Sequence, residues 1–121
     1  MVILPVFSDG SGSYRLYKID SPDRDLKKSG DGSMEPDPAK CKEVPIDCID
    51  IAIVPGLAFD EKGGRIGPGD GTYDRLIPNL PVTTRKVSLA FEDQIVPLVP
   101  MESHDRHVDI IITDRRIIYK I

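Results

Sequence analysis

Hydrophobic residues in this chain come in short runs set off by turn-forming residues, and the runs read as strands. Val2–Phe7 is apolar with Pro5 near its end, the pattern of a buried strand. Tyr14–Ile19 alternates with apolar residues on both sides, so it predicts a strand without fixing its facing. Residues 50–55, Asp-Ile-Ala-Ile-Val-Pro, form a near-continuous apolar run, as expected of a central parallel strand covered on both faces. Residues 86–91 place Val87, Leu89 and Phe91 on one face, and residues 94–99 read as extended. Residues 108–113 predict a second buried strand and residues 116–121 a terminal one. Asp114-Arg115 is a two-residue hairpin turn between them, without the usual glycine.

Helical periodicity is almost absent. One helix is expected to start near Gly71 and run through Leu76, where Pro78 and Pro81 hold it to about two turns. Residues 20–48 carry Ser-Pro, Ser-Gly-Asp-Gly and Pro-Asp-Pro and little periodicity, so they read as one long loop, with Leu26 and Met34 as its anchors. Parallel strands need helices on their faces. The shortage of helix therefore predicts a bare apolar sheet face, hidden by a homo-oligomer or by a partner chain.

Composition bounds the remaining choices. The chain of 121 residues suits a single domain, 1–121. A net charge of -4 argues against broad nucleic-acid binding, which needs a basic face, but allows a local basic pocket. Cys41 and Cys48 make neither a disulfide framework nor a zinc pattern, and read as free thiols. No basic leader precedes the first apolar run, and no run approaches the ~20 residues of a membrane helix. A cytoplasmic protein without a membrane partner is expected.

The chemistry concentrates in Gly63-Gly64-Arg65-Ile66-Gly67-Pro68-Gly69-Asp70-Gly71-Thr72-Tyr73-Asp74-Arg75. Glycines let backbone approach a phosphate, the amides opening the next helix would face the anion, and Arg65 or Arg75 could add charge-assisted hydrogen bonds. Asp74 could reach a bound magnesium. The pattern is neither a Walker A loop nor a dinucleotide fingerprint, and from the glycines alone a tight turn between strand and helix is the plainer reading. A second cluster, His104-Asp105-Arg106-His107 with Asp109, reads in three ways. It could be a zinc or iron site using His104 and His107, a magnesium site using Asp105, or a solvated loop before a strand.

Four segments at these spacings resemble the C-terminal part of the 5-formyltetrahydrofolate cyclo-ligase family. They are Ile-Val-Pro-Gly-Leu-Ala-Phe-Asp, Gly-x-Arg-Ile-Gly-x-Gly-x-Gly-x-Tyr-Asp-Arg, Leu-Ala-Phe-x-x-Gln-Ile-Val and His-Asp-x-x-Val-Asp-Ile-Ile-Ile-Thr, with weaker likeness at Leu4-Pro5 and Glu35-Pro36. The resemblance implies an α/β fold, a three-layer α/β/α sandwich truncated at the N-terminus and left strand-rich. It implies ATP- and Mg2+-dependent closure of 5-formyltetrahydrofolate to 5,10-methenyltetrahydrofolate. Arg65, Ile66, Gly67, Pro68, Gly69, Asp70, Gly71, Thr72 and Tyr73 would line the ATP phosphates. Pro68, Gly69, Asp70, Gly71 and Thr72 would also meet the reduced folate, and Asp74 and Asp105 would hold magnesium. The chain departs from the family at Thr72, where an aromatic is usual, at Asp70, which would repel phosphate, and at Pro68, which donates no amide. A non-catalytic nucleotide- or folate-binding protein, or an oligomeric interaction protein, is the alternative.

Overall fold

The computed structural model describes residues 1–8, 13–67, 71–101 and 106–119. The chain forms two compact units, Met1–Cys48 and Ile49–Ile121.

In the first unit, β1 (Val2–Phe7) and β2 (Tyr14–Ile19) pair antiparallel from Val2–Ile19 to Phe7–Tyr14. Then follow α1 (Pro22–Asp25), β3 (Leu26–Lys28), β4 (Met34–Pro36) and β5 (Lys42–Glu43). The sheet order is β1-β2-β5, so β1 lies at an edge, where Pro5 costs no ladder bond. For the same reason β1 is half-buried instead of buried. The central strand β2 buries Leu16, Tyr17 and Ile19, so it is covered on both of its faces.

The stretch expected as one long loop is a chain of short elements. The buried Asp25 carboxylate accepts the amides of Asp20 and Ser21, each at 2.9 Å, and closes the turn into α1. Those amides, Ser21 first, hold its carboxyl below the usual range. β3 and β4 form a hairpin from Leu26–Pro36 to Lys28–Met34. Of the two expected anchors, Leu26 is half-buried and Met34 is exposed. Both cysteines are free thiols, and Cys41 Sγ donates to the Asp25 carbonyl at 3.2 Å.

The second unit holds β6 (Ile51–Ile53), β7 (Ala58–Phe59), β8 (Arg65–Ile66), α2 (Thr72–Leu76), β9 (Arg85–Leu89), β10 (Ile110–Ile112) and β11 (Ile117–Tyr119). Its four-stranded sheet has the order β11-β10-β9-β6, with β6, β9 and β10 parallel and β11 antiparallel. β10 is central, as its apolar run predicts. β6 is not: it pairs only with β9 among the described strands, and Ile51 and Ile53 are exposed. α2 starts after Gly71 and passes into a 3-10 turn, Ile77–Asn79, at Pro78, as the sequence predicts. Residues 94–99 begin inside a 3-10 turn, Glu92–Gln94, and only then extend. Thr113 Oγ1 accepts the amides of Arg115 and Arg116 at 3.1 and 3.0 Å, which closes the 114–115 turn without a glycine.

One face of this sheet packs the core of Val54, Phe59, Ile77, Val108, Ile111 and Ile118. Ser88, fully buried on that face, donates Oγ to the Val54 carbonyl at 2.7 Å. Strand register puts Ile51, Ile53, Leu89, Ile112, Ile117 and Tyr119 together on the other face. These six are 38% to 63% exposed and, with the more buried Val87 and Ile110 between them, form an apolar face of the second unit among the described residues. Among the described residues no helix is long and apolar enough to cross a membrane.

Candidate functional site

The turn between β7 and β8 is built on one carboxylate. Asp60, 3% exposed, accepts the amides of Lys62 and Gly64 on Oδ1 at 2.9 and 2.8 Å, and the amide of Val99 on Oδ2 at 2.8 Å. Burial pushes the Asp60 carboxyl up, but the Val99, Gly64 and Lys62 amides and the nearby His107 outweigh it, and the net direction is down. Gly63 sits at φ +88°, where a Cβ would stand 2.3 Å from the Val108 carbonyl oxygen, so only glycine fits. Gly64 has its would-be Cβ 2.5 Å from Asp60 Oδ2.

This rigid turn delivers Arg65. Its side chain is 4% exposed and reaches both ends of the segment. Nε donates to the Pro55 carbonyl at 2.6 Å, and Nη1 donates to Asp74 Oδ1 at 2.6 Å. Nη2 is buried with no hydrogen-bond partner among the described residues. An unmade hydrogen bond at a buried charged group costs at least ~1–3 kcal/mol, so this nitrogen is a donor waiting for an acceptor. Beside it Gly67 keeps space open: a Cβ there would lie 3.1 Å from Arg65 Nη2 and 3.2 Å from Asp74 Oδ2.

Around the pair lies a cavity of about 270 Å³, whose lining includes Arg65, Gly67, Asp74, Pro100, Met101 and Arg106. Two guanidiniums against one carboxylate favour an anionic guest. The volume lies just under the ~300–1,000 Å³ of cavities that enclose whole ligands, and is ample for a phosphate group.

Of the residues singled out in the sequence, the structure brings Arg65, Gly67 and Asp74 together at this cavity. Ile66 is exposed on β8. Gly71 caps α2 at φ +74°, and Thr72 and Tyr73 are half-buried in its first turn, Tyr73 against the core. Arg75, the alternative basic partner, is exposed, and its Nη2 lies 3.7 Å from a would-be Cβ on Gly71. The expected attraction from the helix start is slight, since α2 has only five residues to align. Pro68, Gly69, Asp70, His104 and Asp105 lie outside the described residues. Among the described residues no three His, Cys, Asp or Glu side chains cluster as metal ligands.

Sequence reasoning gave three contributors no role: Asp60 and Gln94, quoted only within the resembling segments, and Arg106, named only within the second cluster. Asp60, followed by Glu-Lys-Gly-Gly, carries the signature of an Asp-closed turn and was legible on that ground. Gln94 Nε2 donates to the carbonyls of Gly56 and Leu57 at 3.3 and 3.1 Å, bracing the chain that leads to Arg65. Arg106 lines the cavity, a placement that no local signal marks.

A mixed α/β sheet carrying a cavity lined by Gly67, Arg65 and Arg106 defines the class, an α/β protein. A profile of the 5-formyltetrahydrofolate cyclo-ligase family matches residues 1–114, and the chain belongs to that family. It is 35% identical over 105 residues to the 5-formyltetrahydrofolate cyclo-ligase of Haemophilus influenzae, covering 86% of this chain and 56% of that one. It is 31% identical over 117 residues to that of Escherichia coli K12, covering 96% and 64%. The solved 5,10-methenyltetrahydrofolate synthetase of Aquifex aeolicus superposes with a TM-score of 0.78 at 32% identity, covering 98% of this chain and 57% of the other. The chain thus spans a little over half the length of these relatives, and the superposition supports the α/β fold class.

Proposed function

We propose that the cavity at Arg65 is the ATP phosphate site of a 5-formyltetrahydrofolate cyclo-ligase, and that the chain takes part in ATP- and Mg2+-dependent closure of 5-formyltetrahydrofolate to 5,10-methenyltetrahydrofolate. The observation that carries this reading is the buried, unpartnered Arg65 Nη2, with Gly67 close beside it in the lining of the cavity. A phosphate oxygen there supplies the missing acceptor. In the reaction, ATP phosphorylates the formyl oxygen, the folate N10 attacks the activated carbon, and phosphate leaves as the bridge closes.

The protein's part is positioning and charge neutralisation. Arg65, clamped by the Pro55 carbonyl, presents fixed donors, and Arg106 adds a second positive charge. Arg65 and Gly67 would line the phosphates; the family resemblance extends that lining over residues 65–73 and gives residues 68–72 to the folate as well. Asp74 and Asp105 would hold Mg2+, which supplies charge neutralisation at the phosphates; the half-exposed Asp74 carboxylate is an oxygen donor of the kind that ion takes. A cytoplasmic location fits a route that uses ATP and reduced folate.

A second reading, an interaction protein that kept the cavity, is favoured by the bare sheet face. Calorimetric titration with Mg-ATP and with 5-formyltetrahydrofolate, together with an absorbance assay for the methenyl product, separates the two. Binding and turnover support the ligase; binding of neither ligand leaves the interaction protein.

A further inference from the structure

We propose that Gln94 is a positioning residue: it holds in place the chain segment whose carbonyl aims Arg65, and thereby tightens the binding of Mg-ATP. The effect on Mg-ATP rests on reading the cavity as its phosphate site; the hold on Arg65 does not.

Where β6 leaves the sheet, side chains take over from the strand ladder. The Val54 amide still donates to the Val87 carbonyl at 2.8 Å, but residue 55 is a proline with no amide to give. Four successive carbonyls then accept from side chains. Ser88 Oγ donates to Val54 at 2.7 Å and Arg65 Nε to Pro55 at 2.6 Å. Gln94 Nε2 serves the next two, Gly56 at 3.3 Å and Leu57 at 3.1 Å. The segment that orients Arg65 is therefore held on one side by Ser88 and on the other by Gln94.

A glutamine amide has two N–H donors and one acceptor, and Gln94 uses all three. Its Oε1 accepts the Phe91 amide at 2.8 Å, which fixes the side chain on its own turn. That turn is anchored in its turn: the Glu92 amide donates to Asp114 Oδ1 at 2.7 Å, and the Glu92 carboxylate accepts Arg116 Nη2 at 2.9 Å. Gly56 lies against the stem of Arg65, since a Cβ there would stand 3.3 Å from Arg65 Cγ. A shift of residues 56 and 57 thus carries the Pro55 carbonyl with it and moves the stem and Nε of Arg65 together. A guanidinium is planar and grips oxygens only when aligned, so lost aim becomes lost affinity.

The test compares the full chain as wild type, Gln94→Glu, Gln94→Met and Thr84→Val. Gln94→Glu keeps the acceptor for the Phe91 amide and loses both donors; Gln94→Met keeps only the stem. Thr84→Val removes the bond from Thr84 Oγ1 to the Ile49 carbonyl, 2.6 Å, at the far end of β9, and is the control for general destabilisation. Gln94 is half-buried in a three-residue turn, so both of its variants are expected to fold, and Gln94→Glu decides alone if Gln94→Met does not. The first readout needs no ligand: the NMR resonance of the Arg65 Nε–H, which lies in the bond to Pro55. It should move in both Gln94 variants and stay in Thr84→Val. In calorimetric titrations both Gln94 variants should bind Mg-ATP about fivefold more weakly or worse, the weight of one hydrogen bond, and Thr84→Val should match wild type. An unmoved Arg65 resonance in the Gln94 variants overturns the proposal, and so does unchanged affinity where wild type binds. If wild type itself binds no Mg-ATP, the reading of the cavity falls, and the resonance alone decides whether Gln94 aims Arg65.

Discussion

Asp60 Oδ2 accepts the amide of Val99 at 2.8 Å, joining the turn that delivers Arg65 to the segment that brings Pro100 and Met101 to the cavity. The same carboxylate holds its own turn through Oδ1. Asp60→Asn keeps an oxygen for Lys62 and Gly64 but turns an NH2 toward the Val99 amide. We expect a loss of about 1–3 kcal/mol in unfolding free energy, the cost of a buried donor left unmet. Denaturant melts of wild type and variant measure it, and equal midpoints would show that the Val99 contact carries no stability.

The pH dependence of that loss has a definite sign. The folded-state pKa of Asp60 is depressed below its ordinary 3.8, so its stabilisation is complete above that value and disappears as pH falls through the lower native value. The stability gap between wild type and Asp60→Asn should be constant at neutral pH and narrow below pH 3.8. A gap that widens on acidification contradicts the assignment.

We expect Gly67 to serve the ligand, because its φ is not in the left-handed region and the nearest atoms a Cβ would meet among the described residues are Arg65 Nη2 and the Asp74 oxygens. Gly67→Ala should leave the melting temperature near wild type and weaken Mg-ATP by about tenfold, a loss of ~1.4 kcal/mol. Parallel melts and calorimetry distinguish this from general destabilisation. Unchanged affinity would mean that the phosphate does not use this space.

The apolar face of Ile51, Ile53, Leu89, Ile112, Ile117 and Tyr119 is larger than scattered surface hydrophobics explain. We expect a second copy to cover it, giving a dimer or larger species by multi-angle light scattering. Ile53→Lys with Ile112→Asp should shift the mass toward the monomer. A wild-type monomer at high concentration contradicts the expectation.

Much of the fold was legible because local rules set it. Gly71 and Pro78 bracket α2, and the apolar runs mark β9 and β10. Strand order was not legible, since the run at 50–55 looks the same whether neighbours lie on one side or two; β6 proved to be at the edge. Short elements at 20–48 were hidden because a carboxylate, Asp25, and not hydrophobic periodicity organises their start. At the site, Arg65, Gly67 and Asp74 stood out through four linked segments. Arg106 was named only within the second cluster, and no local pattern placed it at the same cavity as Arg65.

The central claim is that Arg65 presents its fork to the phosphates of ATP, and Arg65→Lys tests it most directly by keeping the charge and removing the fork. In Mg-ATP titrations followed by calorimetry, wild type should bind and the variant should bind at least about tenfold more weakly, a difference of ~1.4 kcal/mol. Equal affinity in the two proteins, or no heat of binding in wild type, contradicts the account.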